Sequence, residues 1–146
     1  MRAERAEWLV VTTMRLLALT FAVVGVLFIA TPNGVVGRMD DVGAWFGTFT
    51  PGPRTDQKLW LALGFAYMTV ITGIALLVST DVVRYRPVLL VLAAGKAASS
   101  LAAGAYFVAD QDVFIYLLNF LVDGGLVVIV LACWALAGRV DERSPG

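Results

Sequence analysis

The sequence predicts an all-α protein: a four-transmembrane-helix bundle with a short interfacial helix in its first outward loop. Three observations carry that reading. Hydrophobic residues make up 60% of the chain against 15% charged, and the mean hydropathy of +0.83 is far above that of soluble domains. The apolar residues also fall into four long blocks, separated by charged or Pro/Gly-containing punctuation. At this length they make one membrane domain over residues 1–146, with no room for a second.

The first block covers residues 8–30. Arg2 and Arg5 precede it as they would a secretory leader, but it is too long for one and has no A-x-A cleavage pattern near Ala30, so it is expected to be retained. The loop over residues 31–58 follows. In it Val35, Val36, Met39, Val42, Trp45 and Phe46 recur at helical spacing, with Arg38, Asp40 and Asp41 on the other side, as in a short helix lying in the membrane interface. Such a segment tucks aromatics under the headgroups, or acts as a lid or docking surface. Pro51, Gly52 and Pro53 then end any helix and stiffen the exit.

The remaining blocks cover residues 59–78, 88–108 and 113–137. At the helical rise each of the four spans roughly 30 to 37 Å, enough for a hydrocarbon core of about 30 Å. An even number of spans puts both termini on one face together with the turn at residues 79–86. That face carries six basic residues outside the spans (Arg2, Arg5, Arg84, Arg86, Arg139 and Arg143), against three on the other (Arg38, Arg54 and Lys58). The excess predicts both termini in the cytoplasm, with the chain in a bacterial inner membrane. The turn at residues 109–112 agrees, having Asp110 and Asp112 but no basic residue.

Composition also excludes functions. Eleven basic residues balance eleven acidic ones, so there is no basic stripe for nucleic acid. The chain has no histidine, which removes Ser-His-Asp and Cys-His catalysis and disfavours a haem held between helices or a transition-metal site. The single Cys133 rules out an internal disulfide and reads as a small apolar core residue. No catalytic residue, metal site or cofactor is therefore expected.

Two charges inside the spans stand out. Lys96 comes ten residues past Arg86 in the third block and Asp123 ten residues past Val113 in the fourth. Each thus lies about 15 Å deep, approached from opposite faces. An unpaired charge at the bilayer centre costs about 2.5 to 3.5 kcal/mol on insertion scales, so an ion pair between antiparallel neighbours is expected. Asn119 lies one turn from Asp123, and Ser99 and Ser100 one turn from Lys96, as supporting polar groups; Tyr116 extends that face. The pair either fixes helix register or serves as a relay or ligand pocket. Arg15, about 10 Å from its membrane edge, reads as a side chain snorkelling to lipid headgroups, with a lipid phosphate or Asp81 as alternative partners.

From Ala93 to Ala105 nearly every residue of the third block is small, Lys96 and Leu101 excepted. Small faces let helices approach closely in lipid, so this helix is expected to be the hub of the bundle. Gly25, Gly64, Gly73, Gly124 and Gly125 are expected to be matching points of close approach. No duplication of the two halves appears, so an inverted-repeat transporter is not supported.

Arg15 with Leu16 and Leu17, Gly25 at mid-helix and the Thr31-Pro32 exit resemble the DoxX-like group of small bacterial four-helix membrane proteins. The resemblance covers the first block and the overall plan, and implies an accessory role beside quinone-linked or redox partners. Taken together, the sequence suggests a non-catalytic membrane accessory subunit, in contact with lipids and other membrane subunits. The alternative is a small proton-coupled carrier or a quinone-interacting protein with a midplane polar site at Lys96, Asn119 and Asp123. The sign of quinone interaction would be a lipid-facing cleft lined by Tyr67, Tyr116 and the charged pair.

Overall fold

A computed structural model describes residues 3–141. It contains five helices: α1 (Ala3–Ala30), α2 (Pro32–Gly43), α3 (Lys58–Thr80), α4 (Val88–Ala109) and α5 (Phe114–Asp141). All but α2 are long and apolar enough to cross a membrane, and the chain is a multi-pass membrane protein of all-α, four-helix plan. Arg2 and Arg143, counted above in the charge asymmetry, lie outside the described residues.

The apolar blocks set the helices, and the helices outrun the blocks. α1 starts five residues before Trp8, at Ala3. Ala6 and Val10 are buried there on the face that continues through Met14, Ala18 and Phe21, so the polar first turns still serve packing. α5 likewise continues past Ala137, with Val140 buried. Between α3 and α4, Asp81 stops the chain: its carboxylate accepts the Arg84 backbone N–H at 2.9 Å, and Pro87 sits immediately before α4.

The helices pack as two intimate pairs, α1 with α3 and α4 with α5, joined chiefly where α1 meets α5; α3 touches α4 only lightly. The expected hub role of α4 is therefore corrected. Its small residues do admit α5 closely, since a Cβ added at Gly104 would stand 2.8 Å from the Phe120 ring. Yet Ala94, Ala98, Ala102 and Ala105 face outward with no helix upon them. Of the glycines expected at contacts, Gly25 meets Met68 and Gly124 meets Ser100, whereas Gly64, Gly73 and Gly125 face open space.

Packing differs between the two ends of the bundle. The end that holds the termini has a dry core in which Val10, Met14, Val78, Leu89, Leu92 and Val130 are fully buried. The other end is capped by α2 and the loop after it. Val36 and Gly43 are buried under the cap, while Arg38 and Asp41 are exposed. Asp40 departs from the expected polar face: it turns inward, accepting the Gly52 N–H at 2.9 Å and pairing with Arg54 at 3.1 Å. Trp45 and Phe46 lie beyond the end of α2 and are 81% and 73% exposed, so they do not tuck back under it. Asn33 holds the rest of the loop, its carbonyl accepting from Arg54 at 2.7 Å and its side chain from the Thr55 N–H at 2.9 Å.

The cap is also fixed to the α4–α5 turn. Thr50 donates through its backbone N–H to the Asp112 carbonyl at 3.2 Å and through its hydroxyl to the Asp112 carboxylate at 2.6 Å. Phe46, Phe49 and Phe114 cluster beside this bridge, with centroids 5.9 Å apart for Phe46 and Phe114 and 5.2 Å for Phe49 and Phe114.

Candidate functional site

Lys96 and Asp123 enter the bundle from opposite ends on the closely packed α4 and α5, and both side chains are buried. Lys96 Nζ lies 3.0 Å from Asp123 Oδ1. Each supporting group takes a position of its own. Asn119 Nδ2 donates to Ser99 Oγ at 3.2 Å, a second cross-link between the same helices one turn toward the capped end. Ser100 does not serve Lys96: its hydroxyl donates to the Phe120 backbone carbonyl at 2.8 Å, occupying a carbonyl of α5 instead. Tyr116 packs on Tyr106, ring centroids 5.9 Å apart, and does not join the face of the pair.

Two aromatic rings flank the Lys96 ammonium beside the cavity that it lines. Nζ sits 4.8 Å from the Phe21 ring centroid and 5.6 Å from that of Tyr67. Both rings present their negative π-face to the cation, which offsets part of the cost of burying it.

The pair marks a boundary in the molecule. Toward the termini lies the dry core; toward the cap opens a cavity of about 410 Å³, within the range of small-molecule sites. Phe21, Val24, Gly25 and Phe28 of α1 form its back wall. Trp60, Gly64, Phe65 and Met68 of α3 face Leu118, Val122 and Leu126 of α5 across it, and Met39 of α2 covers its top. Its floor is Tyr67, Lys96, Ser99, Asn119 and Asp123. The cavity exists because α3 leans on α1 and leaves α5 apart, with glycine at position 64 where a side chain would otherwise fill the space. Trp60, Gly64 and Val122 along its lips are exposed on the bundle's outer surface, so it opens sideways between α3 and α5.

Of the expected site residues, Lys96, Ser99, Asn119 and Asp123 share this floor, Ser100 stands behind it and Tyr116 is elsewhere. Arg15 is exposed, with no ion-pair partner among the described residues; Asp81, its alternative partner, is engaged by the Arg84 backbone. The aromatic walls were not foreseen as a site. Their sequence signal is faint: Trp60, Gly64, Phe65 and Met68 lie at spacings of one, three or four on one side of α3, which is equally the pattern of an ordinary core face.

Comparison with protein-family models, curated proteins and solved structures gives no match for this chain.

Proposed function

We propose that this protein binds a small, lipid-soluble molecule with a hydrogen-bonding head, of the quinone class in size and polarity, in the cavity between α1, α3 and α5. The single observation that carries the proposal is the form of that cavity: mostly apolar and aromatic along its walls, with its charged and amide groups gathered at Lys96, Asn119 and Asp123, and open at the side of the bundle between α3 and α5. Such a space suits an amphipathic guest lying head-down, its head against Lys96, Asn119 and Asp123 and its body along Phe28, Trp60 and Phe65. The dry core beneath the pair supports binding over carriage, because beyond Lys96 and Asp123 the bundle interior is Met14, Ile71, Leu92 and Val130. The basic excess among the loops and termini supports placing both termini in the cytoplasm of a bacterial cell, so the cavity opens in the outer leaflet of the inner membrane.

The test is calorimetric titration of the detergent-purified protein with a short-tailed benzoquinone and its quinol. Saturable binding of at least one is expected, abolished by Gly64→Phe and by Val122→Trp, which add bulk at the two lips, while circular dichroism stays unchanged. If neither molecule binds saturably, or both lip variants bind as the parent does, the proposal is lost.

A second reading has its own support. The outward stripe of Ala94, Ala98, Ala102 and Ala105 on α4 suits close approach by a helix of another subunit, as in an accessory protein within a larger membrane complex. Purification in mild detergent tests it: a chain isolated alone and monomeric rules against this role.

A further inference from the structure

The free valences on the cavity floor define what head the site accepts. Asp123 Oδ1 takes the Lys96 bond, whereas Oδ2 accepts no hydrogen bond from the described residues. Among those residues the Tyr67 hydroxyl is the one side-chain polar atom that is both sealed off and unpartnered. Oδ2, unpartnered as well, therefore keeps a face to the open space of the cavity that Asp123 lines. One turn along α5, Asn119 gives one N–H of its amide to Ser99 and keeps the second N–H and the carbonyl oxygen. Beside Lys96, what α5 offers a guest is thus the Asp123 carboxylate, which can only accept. Opposite it, Lys96 uses one N–H on Asp123 and keeps two, and the Ser99 hydroxyl retains its proton to donate.

Charge narrows the choice further. Lys96 and Asp123 cancel each other, so a neutral head leaves the pair intact. A carboxylate head would compete for Lys96 and strand Asp123, while an ammonium would strand Lys96; either leaves a buried charge unpaired. Among neutral heads, a carbonyl or ether presents only lone pairs to Oδ2. A hydroxyl donates to Oδ2 and accepts from Lys96 or Ser99 with the same atom, and the bond to the carboxylate is charge-assisted.

We infer that the site selects a neutral hydroxyl-headed molecule over the same skeleton headed by a carbonyl, an ether or a charged group. This rests on the binding role proposed above and specifies its ligand. A guest that exists in oxidised carbonyl and reduced hydroxyl forms is held in the reduced form.

The experiment compares para-octylphenol with its methyl ether, para-octylanisole, and with the charged para-octylbenzoic acid and para-octylbenzylamine, by calorimetry on the full chain in detergent. The phenol should bind roughly ten- to a hundredfold tighter than the ether, the worth of one hydrogen bond to a charged group, and the acid and amine more weakly still. The Lys96→Met/Asp123→Leu double variant removes both charges without stranding either, and in it the preference for phenol over ether should vanish. Phenol and ether binding equally, both blocked by Gly64→Phe, would overturn this inference and leave the binding role standing. Preference surviving in the double variant would overturn it too, and binding of none of the four would remove the binding role with it.

Discussion

Lys96 Nζ and Asp123 Oδ1 meet at 3.0 Å on the plane where a dry core gives way to a cavity. That position makes the pair both a fastening between α4 and α5 and the floor of an open site. Its two duties respond differently to mutation, because the fastening depends on neutrality and the floor on which polar atoms remain.

Removing one partner leaves the other buried and uncompensated. Lys96→Ala is therefore expected to destabilise by about 3 to 5 kcal/mol. Lys96→Met/Asp123→Leu should recover most of that loss, since apolar residues of similar volume can replace a buried pair at little cost. Unfolding of the purified protein in mixed micelles measures both; a double variant no more stable than the single one would mean that the two charges are not energetically coupled.

Gly25 and Gly73 form a matched pair of tests for how closely the helices approach. A Cβ at Gly25 would stand 2.9 Å from Met68 Cβ, an atom fixed to the α3 backbone, so Gly25→Ala must push α1 and α3 apart. Overpacking of this kind costs about 1 to 3 kcal/mol. Gly73 meets nothing within 4 Å, so Gly73→Ala should gain about 0.5 to 1 kcal/mol from helix propensity alone. Opposite signs in the same unfolding assay are the expected result.

The four long helices were legible in the sequence because a membrane span must be apolar for its whole length, and the charged or Pro/Gly breaks between blocks are hard to read otherwise. The Lys96–Asp123 contact was legible because equal depth on adjacent antiparallel helices leaves only rotation undecided. Beyond that α4–α5 neighbourhood, helix pairing was not. The small residues of α4 lower the barrier to approach on several faces but do not say which neighbour comes, and Ala94 and Ala98 end up facing outward. A cleft at Tyr67 and the charged pair was named as the sign of quinone interaction, but its walls on α1, α3 and α5 escaped for a related reason: they depend on α3 packing on α1 and not on α5. Asp40 was misplaced because periodicity assigns it a face without knowing that Gly52 and Arg54 will return to it.

Arg86 pins the α3–α4 turn to the far end of α5. Its guanidinium lies 4.4 Å from the Trp134 ring centroid and its Nε donates to the Trp134 carbonyl at 3.1 Å. A lysine cannot reproduce that planar stack and directed bond together. Arg86→Lys is expected to cost about 1 to 3 kcal/mol, with a shift in the Trp emission spectrum; an unchanged spectrum and unchanged stability would show the contact to be idle.

The Tyr67 hydroxyl gives a prediction of unusual sign. It is sealed from solvent with no partner, wedged where a Cβ on Gly95 would stand 3.4 Å away. A buried unsatisfied hydroxyl costs about 1 to 3 kcal/mol, and deleting it recovers that amount because the ring keeps its packing on Lys96. Tyr67→Phe should therefore raise the stability of the ligand-free protein, where most substitutions at a half-buried aromatic lower it. The comparison has to be made without added ligand, because a guest seated beside the ring could rotate the hydroxyl into a bond and reverse the sign. Thermal unfolding with and without para-octylphenol separates the cases. A gain without ligand and a smaller ligand-induced shift in Tyr67→Phe would mean that the hydroxyl engages the guest. Equal shifts in parent and variant would leave it a packing defect beside the site, and a loss of stability without ligand would mean the hydroxyl already has a partner.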